Sequence, residues 1–319
     1  MISLEQFESA EMKGIRDGFG QGLLELGQED AMIAATCADL RESIRMQSFA
    51  DAFPDRFFEV GVAEQNLIGI SSGLAKEGFT VFAGSYAAFS PGHTHSQIRV
   101  SVCYANRNVK IVGGHPGLTV GPGGATHQSL EDIAMMRVLP NMTVVVPSDY
   151  ETARVLTRQI AALPSPAYLR SSRVKTKSLA VAEDVQLGKA LKLREGFDLT
   201  ILACGVMVDR ALQLAFDLEQ QAVSVEVLNI HTIKPLDNEA ILASAAKTGK
   251  VLTIEEHQQA GGLGSAVAEL LIQQPRPIPM RIVAVQDTFG ESGEADELLE
   301  KYGFERAHLN QVALEFLQG

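Results

Sequence analysis

The stretch RFFEVGVAEQNLIGISSGLAKEG, residues 56–78, decides the fold of the first half of the chain. It predicts a short strand, Phe57–Val60, that turns into an amphipathic helix. Glu64 lies in the first turn of this helix, where the dipole favours a carboxylate. Position alone indicates a solvated helix-start residue, whereas the apolar neighbours on both sides favour a buried carboxyl that shares a proton with a partner. Gly69 and Gly73 leave one helix face bare, so another backbone can approach it.

Strand-like and helix-like segments alternate along the whole chain. Strands are expected at residues 31–37, 79–84, 109–113, 143–146, 167–170, 199–204, 223–229, 251–255 and 280–285. Helices are expected at residues 5–27, 86–104, 129–139 and 149–162, among others. This alternation predicts an α/β fold of two doubly wound, mostly parallel-sheet domains. We place the domains at residues 1–172 and 190–319, with a linker at 173–189.

The composition indicates a protein with a large apolar core and an acidic surface. Of the 319 residues, 46% are hydrophobic and 21% are charged, and the formal net charge is −12. This charge argues against a nucleic-acid or anionic-membrane partner. No apolar run is long enough to cross a membrane, and the start MISLEQFESAEMKG is not a secretory signal. The three cysteines form no CxxC pair, so we expect buried thiols, no metal site and a cytoplasmic protein.

Several candidate functional groups follow predicted strands. In parallel sheets, ligands bind beyond the carboxyl ends of the strands. Asp39, Glu64, residues 86–89 and the loop 114–128, GHPGLTVGPGGATHQ, all occupy such positions, so we expect them to share one rim. The loop contains five glycines, which let backbone approach a ligand, and two histidines, which suit proton handling or anion contacts. The plainer alternative is a turn-rich surface loop, and its fifteen-residue length counts against that.

Two further motifs carry weaker signals. GGLGSA, residues 261–266, fits neither GxGxxG nor GxxxxGK[ST], so tight packing of the helix that follows is favoured over phosphate binding. His93 and His95 are two residues apart and would not share a helix face. Since no cysteine or acidic ligand cluster lies nearby, they do not predict a metal site.

Four stretches of the chain, taken together, resemble one protein family. They are RFFEVGVAEQN at 56–66, VFAGSYAAF at 81–89, GHPGLTVGPGGATHQSLED at 114–132 and RVLPNMTVVVPSD at 137–149. Their order resembles the transketolase family, specifically the pyrimidine-binding and C-terminal domains, and the likeness covers essentially the whole chain. In split transketolases, these two domains form a separate second subunit.

The resemblance implies a cofactor and partners. The family binds thiamine diphosphate, and a GDG…N motif holds the diphosphate with Mg²⁺ or Ca²⁺. This chain does not contain that motif. The resemblance therefore implies a partner N-terminal subunit that carries it, with the cofactor bound across the interface. It also implies a homodimer of this chain within a heterotetramer of two plus two.

The resemblance also assigns roles to individual residues. Glu64 matches the glutamate that hydrogen-bonds N1′ of the aminopyrimidine, which prepares the 4′-nitrogen to take the proton from thiazolium C2. Tyr86 and Phe89 match aromatics that pack on the pyrimidine, although by spacing alone they would be ordinary core residues. His127, in the THQ motif, matches a histidine near the reacting oxygens of the substrate. Asp39 matches a position near the cofactor rim.

A second group of residues falls where the family binds the terminal phosphate of the sugar. Two arginines, a hydroxyl and a histidine are chemically suited to an oxyanion. Together with His127, the implied substrate-binding residues are Arg16, Ser43, His115 and Arg173.

Two positions depart from the family pattern. Gly123 stands where the family commonly has an aspartate that reads the C2 hydroxyl of the acceptor aldehyde. His95 stands where a third aromatic, usually tyrosine, lies near the pyrimidine. Both departures suggest an unusual substrate, such as a sulfonated or otherwise modified sugar, because a sulfonate can use the same anion site.

We therefore expect the second subunit of a transketolase that moves a two-carbon ketol unit from a phosphorylated ketose to an aldehyde. One alternative is a subunit like deoxyxylulose-phosphate synthase or the β chain of 2-oxo-acid dehydrogenases, which would decarboxylate a 2-oxo acid. Another is a non-catalytic assembly subunit, which Gly123 hints at and which Glu64 and His127 argue against.

Overall fold

The computed structural model describes residues 1–318 as three sheets surrounded by helices. The strands are β1 (Met12–Gly14), β2 (Ile33–Cys37), β3 (Phe57–Glu59), β4 (Thr80–Tyr86), β5 (Val109–Gly114), β6 (Thr143–Val145), β7 (Ala167–Ser171), β8 (Lys175–Lys177), β9 (Leu191–Arg194), β10 (Leu199–Ala203), β11 (Val225–Asn229), β12 (Thr232–Lys234), β13 (Val251–Gln258) and β14 (Met280–Val285). The helices are α1 (Leu4–Ser9), α2 (Ile15–Glu29), α3 (Gln47–Ala52), α4 (Glu64–Lys76), α5 (His95–Gln97), α6 (Asp132–Arg137), α7 (Tyr150–Ala161), α8 (Met207–Glu219), α9 (Asn238–Thr248), α10 (Leu263–Leu271), α11 (Ala295–Leu299) and α12 (Arg306–Gln318).

A seven-stranded sheet organises the first half, in the order β12-β6-β7-β5-β4-β2-β3. All neighbouring pairs are parallel except β12 with β6. Strands β2, β5 and β7 are buried along their whole length, as expected for a parallel sheet covered on both faces. The register places Tyr86 beside Gly114, so the end of β4 lies against the start of the loop that follows β5.

A five-stranded sheet organises the second half, in the order β14-β13-β10-β11-β9, and only β9 runs antiparallel. A separate two-stranded sheet joins β1 to β8. These sheets confirm the predicted α/β fold with mostly parallel strands. Strand β12 belongs to the second half in sequence but extends the first sheet. One apolar cluster combines Leu67 and Ile68 of α4 with Leu202 and Ile230, so the two halves also share buried contacts.

Two of the predicted helices are wrong in part. Residues 5–27 form α1 and α2, which are separated by β1 because Met12–Gly14 pairs with Lys175–Lys177. In the segment 86–104, only α5 and the π-helical turn Ile98–Tyr104 are helical. The residues before them form tight turns, in which a Cβ at Gly92 would collide with the carbonyl oxygen of Ala88.

The segment predicted as a linker, residues 173–189, is tied to the first half of the chain. It contains β8, and the backbone N–H groups of Leu179 and Ala180 donate to Oδ2 of Asp149 at 2.9 and 2.8 Å. The domain bounds themselves stay a prediction. None of the helices formed by residues 1–318 combines the length and the apolar character needed to cross a membrane.

The GGLGSA motif opens α10, and its N-terminal amides bind a side chain of the same chain. Glu255 accepts hydrogen bonds from the N–H groups of Leu263 and Gly264, both at 2.7 Å. A Cβ at Gly264 would lie 2.7 Å from Ile282, so the glycine lets α10 pack tightly on β14. The motif therefore serves helix packing, as the sequence favours.

Candidate active site

Glu64 begins α4 and is buried, with 5% of its surface exposed. Its Oε1 lies 3.4 Å from the hydroxyl oxygen of Ser85, and its Oε2 lies 3.4 Å from Nε2 of His93. Both contacts are long for hydrogen bonds, so the carboxyl group keeps capacity for a ligand. The structure thus buries this carboxyl group, as the apolar neighbours predict.

Five aromatic and imidazole rings, the ring cluster, lie beside Glu64. Tyr86 is at its centre, with ring centroids 6.0 Å from Phe89, 5.0 Å from His115 and 5.4 Å from His127. Phe89 lies 5.2 Å from His127 and 6.1 Å from His93. Tyr86, Phe89 and His127 are only half-buried, so part of each ring remains accessible. The cluster therefore forms an aromatic wall with a carboxyl group at its edge.

The backbone explains why these rings meet. Tyr86 ends β4, and the adjacent β5 leads into the loop 114–128, which carries both His115 and His127. Positive φ angles of 82°, 74° and 68° at Gly117, Gly121 and Gly124 let this loop return towards Tyr86, because glycine adopts them without steric cost. The carboxyl ends of β4 and β5 therefore bring Tyr86, His115 and His127 together.

Arg16, Ser43, His115 and Arg173 also come together, and we call them the anion cluster. Nη1 of Arg16 donates to the carbonyl oxygen of Ser43 at 2.9 Å, and the Ser43 hydroxyl oxygen lies 2.7 Å from Nε2 of His115. Burial, aided by the positive charges of Arg16 and Arg173, lowers the pKa of His115 to about 3. His115 is therefore a neutral hydrogen-bonding group in a positively charged setting.

Arg45 is a further member of this region that the sequence did not single out. Its Nε donates to Oδ1 of Asp17 at 2.6 Å, and its charge contributes to the lowered pKa of both His115 and Arg16, after burial as the main cause. Its backbone has a positive φ of 67°, which turns the chain just after Ser43. Such a long-range contact leaves no local sequence signal.

Two predicted positions lie outside the ring cluster. Asp39 is exposed at the end of β2, with a φ of 58°, and its N–H donates to Oε1 of Glu59 at 2.7 Å. His95, expected near the pyrimidine, lies with Nε2 3.2 Å from the carbonyl oxygen of Met135. His93 contacts Glu64 and Phe89 instead. The four-residue spacing from Phe89 to His93 could have indicated this, since the His93 N–H donates to the Phe89 carbonyl as in a helical turn.

Gly123 is exposed in the loop, close to His127. A Cβ at this position would lie 3.2 Å from Cβ of His127, so a larger residue here would crowd the histidine. Among residues 1–318 no group of three or more His, Cys, Asp or Glu side chains could hold a metal ion.

Comparisons with known proteins relate this chain to one family. The family model described as the transketolase pyrimidine binding domain matches residues 11–177, and the transketolase C-terminal domain matches residues 188–309. The 6-deoxy-6-sulfo-D-fructose transketolase subunit SqwH of Clostridium sp. (strain MSTE9) is 44% identical, with 94% of each chain covered. A subunit of the apulose-4-phosphate transketolase of Phocaeicola vulgatus is 38% identical, with 96% of this chain and 98% of that protein covered.

A solved structure also relates this chain to split transketolases. It is described as a split gene transketolase, inactive beta4 tetramer, and it matches with a TM-score of 0.89 and 42% identity over 96% of this chain and 98% of that one. This chain therefore belongs to the transketolase family and corresponds to the second subunit of its split members.

Proposed function

We propose that this chain carries the proton-handling half of a two-chain transketolase active site, which a partner subunit completes around thiamine diphosphate. When bound, this cofactor supplies a carbanion at thiazolium C2 that carries a two-carbon ketol unit. The observation that carries the proposal is the buried carboxyl group of Glu64 beside the half-buried rings of Tyr86 and Phe89. A flat aminopyrimidine needs such a polar edge contact and such aromatic faces.

Glu64 holds a proton at N1′ of the aminopyrimidine. Its contacts within this chain, to Ser85 and His93, are long enough to leave one oxygen for N1′. Because Glu64 is buried, little water competes for its carboxyl group, which favours a proton held between Glu64 and N1′. Phe89 packs on the pyrimidine face, and Tyr86 supports Phe89 edge-on at an interplanar angle of 73°. Asp39 lies further out on the cofactor rim.

His127 acts on the substrate. It lies against Tyr86 and Phe89, the two rings that position the cofactor. Its Nδ1 is 2.9 Å from the Thr126 hydroxyl oxygen, which leaves Nε2 for the reacting oxygens of the sugar. A histidine in this position can donate or accept a hydrogen bond as the C2–C3 bond of the ketose breaks.

The anion cluster binds the far end of the sugar. Arg16 and Arg173 supply charge, while Ser43 and the neutral His115 supply hydrogen bonds. This set fits a ketose with a terminal phosphate. A terminal sulfonate fits the same groups, and the sulfofructose transketolase among the relatives supports that option. Gly123, which offers no carboxylate beside His127, supports an acceptor other than the common aldoses.

The partner subunit supplies the GDG…N motif and, with it, Mg²⁺ or Ca²⁺ and the diphosphate site. The exposed face of α4 supports this assembly, because a Cβ at Gly69 or Gly73 would meet nothing within 4 Å. Val62 and Tyr104 are exposed apolar residues near the same helix. Such a surface suits close approach of another subunit. We propose a heterotetramer with a homodimer of this chain, located in the cytoplasm, where the buried free cysteines stay reduced.

The substitution Glu64→Gln tests the proposal when the chain is purified with a GDG-bearing partner encoded by a neighbouring gene. Loss of the proton-holding group should lower kcat for ketol transfer by about 100-fold or more. Glu77→Gln, at the exposed far end of α4, is the matched control and should leave kcat unchanged. Transfer by Glu64→Gln at the wild-type rate would contradict the proposal. Turnover of pyruvate rather than a ketose donor would favour a decarboxylating enzyme instead.

A further inference from the structure

The loop that carries His127 is held by residues of the second half of the chain. We call residues 117–128 the site loop. The side-chain amide of Gln128 donates to the carbonyl oxygen of Glu291 at 2.9 Å, and to those of Leu118 and Gly121 at 3.3 Å each. At the other end of the loop, Thr119 contacts Glu256 on β13. The site loop is thus fixed to the second half of the chain at both ends.

The side chain of Glu256 accepts two hydrogen bonds from Thr119. Its Oε1 accepts the backbone N–H of Thr119 at 2.5 Å, and its Oε2 accepts the Thr119 hydroxyl at 3.2 Å. A Cβ at Gly117 would collide with this carboxyl group, so the loop backbone lies directly on it. Two hydrogen bonds and one close backbone approach therefore place this carboxyl group against the start of the site loop.

The surroundings fix Glu256 in turn. Arg170 of β7 donates from Nη2 to the Glu256 carbonyl oxygen at 2.9 Å, and its Nη1 lies 3.9 Å from Oε2. Arg170 is itself held by Asp132, whose Oδ2 accepts from Nε at 2.8 Å. Only 2% of the surface of Glu256 is exposed, and burial raises its pKa to about 7 although Arg170 opposes the shift. Burying an ionisable group at this position is unfavourable, so a well-packed apolar residue would be expected if the position served stability alone.

The site loop needs such an external anchor. It has glycine at four positions, three of them with positive φ, and it forms only irregular helical turns. A glycine-rich loop has high conformational entropy when free, and hydrogen bonds from a rigid strand reduce that freedom. The position of His127 relative to Tyr86 and Phe89 thus depends on groups outside the loop.

We propose that Glu256 is a positioning residue for ketol transfer, which holds the start of the site loop so that His127 stays against Tyr86 and Phe89. The inference rests on the transfer activity proposed above and adds a role for the C-terminal domain in that activity. Glu256 acts through Thr119 and does not touch the substrate itself.

Hydrogen exchange of the isolated full-length chain tests the anchor without any turnover. In Glu256→Leu, amides of residues 117–128 should exchange at least about tenfold faster, because an apolar side chain of similar size accepts neither of the two Thr119 hydrogen bonds. Glu255→Leu is the matched control, since Glu255 is the adjacent buried carboxyl group on the same strand but binds the start of α10. Unchanged exchange in Glu256→Leu, or an equal rise at residues 117–128 in Glu255→Leu, would overturn the proposal. This result does not depend on whether the transfer activity is correct.

Kinetics of the reconstituted complex test the consequence, with hydroxypyruvate as the ketol donor and glycolaldehyde as the acceptor. Glu256→Leu and Thr119→Val should each lower kcat by roughly tenfold and change the donor KM by less than about twofold, since misplacing a reacting group mainly slows the chemical step. Thr119→Ser, which keeps the hydroxyl group that Thr119→Val removes, should retain the wild-type kcat. The double variant should be no slower than the slower single variant, because both changes break one contact. If the kcat losses of the two single variants multiply in the double variant, or if only the donor KM rises, Glu256 does not act through Thr119.

Discussion

At the scale of single residues, the surroundings of His115 determine its protonation state. Burial is the main cause of its lowered pKa, and Arg16, Arg173 and Arg45 add to it. A charged imidazolium ion here would face three guanidinium groups without a carboxylate partner. The neutral ring can instead form a hydrogen bond with Ser43 and with a bound anion.

We predict that His115 does not titrate between pH 5 and 8, because its pKa of about 3 lies well below the value of 6.5 for a free side chain. Between those two values the unfolded chain binds a proton that the folded chain does not. The stability linked to His115 is therefore complete above about pH 6.5 and falls as the pH drops towards 3. The C2-proton NMR shift of His115, assigned with His115→Gln, measures this directly. A midpoint near 6.5 would contradict the described environment.

Arg173 allows a test of the anion cluster because it is exposed and its loss leaves no buried group unpaired. Arg173→Ala should raise KM about tenfold for a ketose with a terminal phosphate, since a charge-assisted hydrogen bond is worth about 1.5–3 kcal/mol. It should leave KM for the same ketose without phosphate unchanged. Lys175→Ala, two residues away and also exposed, is the control. Equal effects of the two substitutions would rule out a specific role for Arg173.

At the scale of elements, α4 is largely determined by local sequence. The sequence places Glu64 in the first turn of this helix, and the observed helix begins at Glu64. By contrast, β1 and β8 form only because residues 12–14 and 175–177 meet in space, which no local pattern encodes. The partial failure of the helix predicted at 86–104 has a similar cause, because the turn at Gly92 depends on close backbone contact.

The bare face of α4 leads to a prediction about assembly. Gly69→Leu should leave the isolated chain folded, since a side chain there meets open space, but it should block association with the other subunits. Gly69→Ala is the control for helix propensity. It should stabilise the helix by about 0.5–1 kcal/mol and still permit assembly. Size-exclusion chromatography with light scattering measures the mass of the assembly that each variant forms. Normal assembly of Gly69→Leu would show that this face is not an interface.

At the scale of the whole molecule, some residues of the site can be predicted from the sequence and others cannot. Glu64, Tyr86 and His127 follow strands of one sheet, so the strand-end rule and the family resemblance find them. Glu256 lies 137 residues from Thr119 and belongs to the other sheet, and a contact of that separation has no signature in a single sequence. The two halves also share apolar clusters, so the second sheet is part of the structure that supports the site.

We propose that Glu64 promotes removal of the proton at thiazolium C2, in a cleft that two subunits form together. The most direct measurement is hydrogen–deuterium exchange at C2 of thiamine diphosphate, followed by NMR after rapid quenching and without any sugar. The wild-type complex should accelerate C2 exchange by several orders of magnitude. The Glu64→Gln complex should still bind the cofactor, but its C2 exchange rate should be at least about 100-fold lower than that of the wild-type complex. The isolated chain should give no acceleration. Equal exchange rates for wild-type and Glu64→Gln complexes would contradict the account.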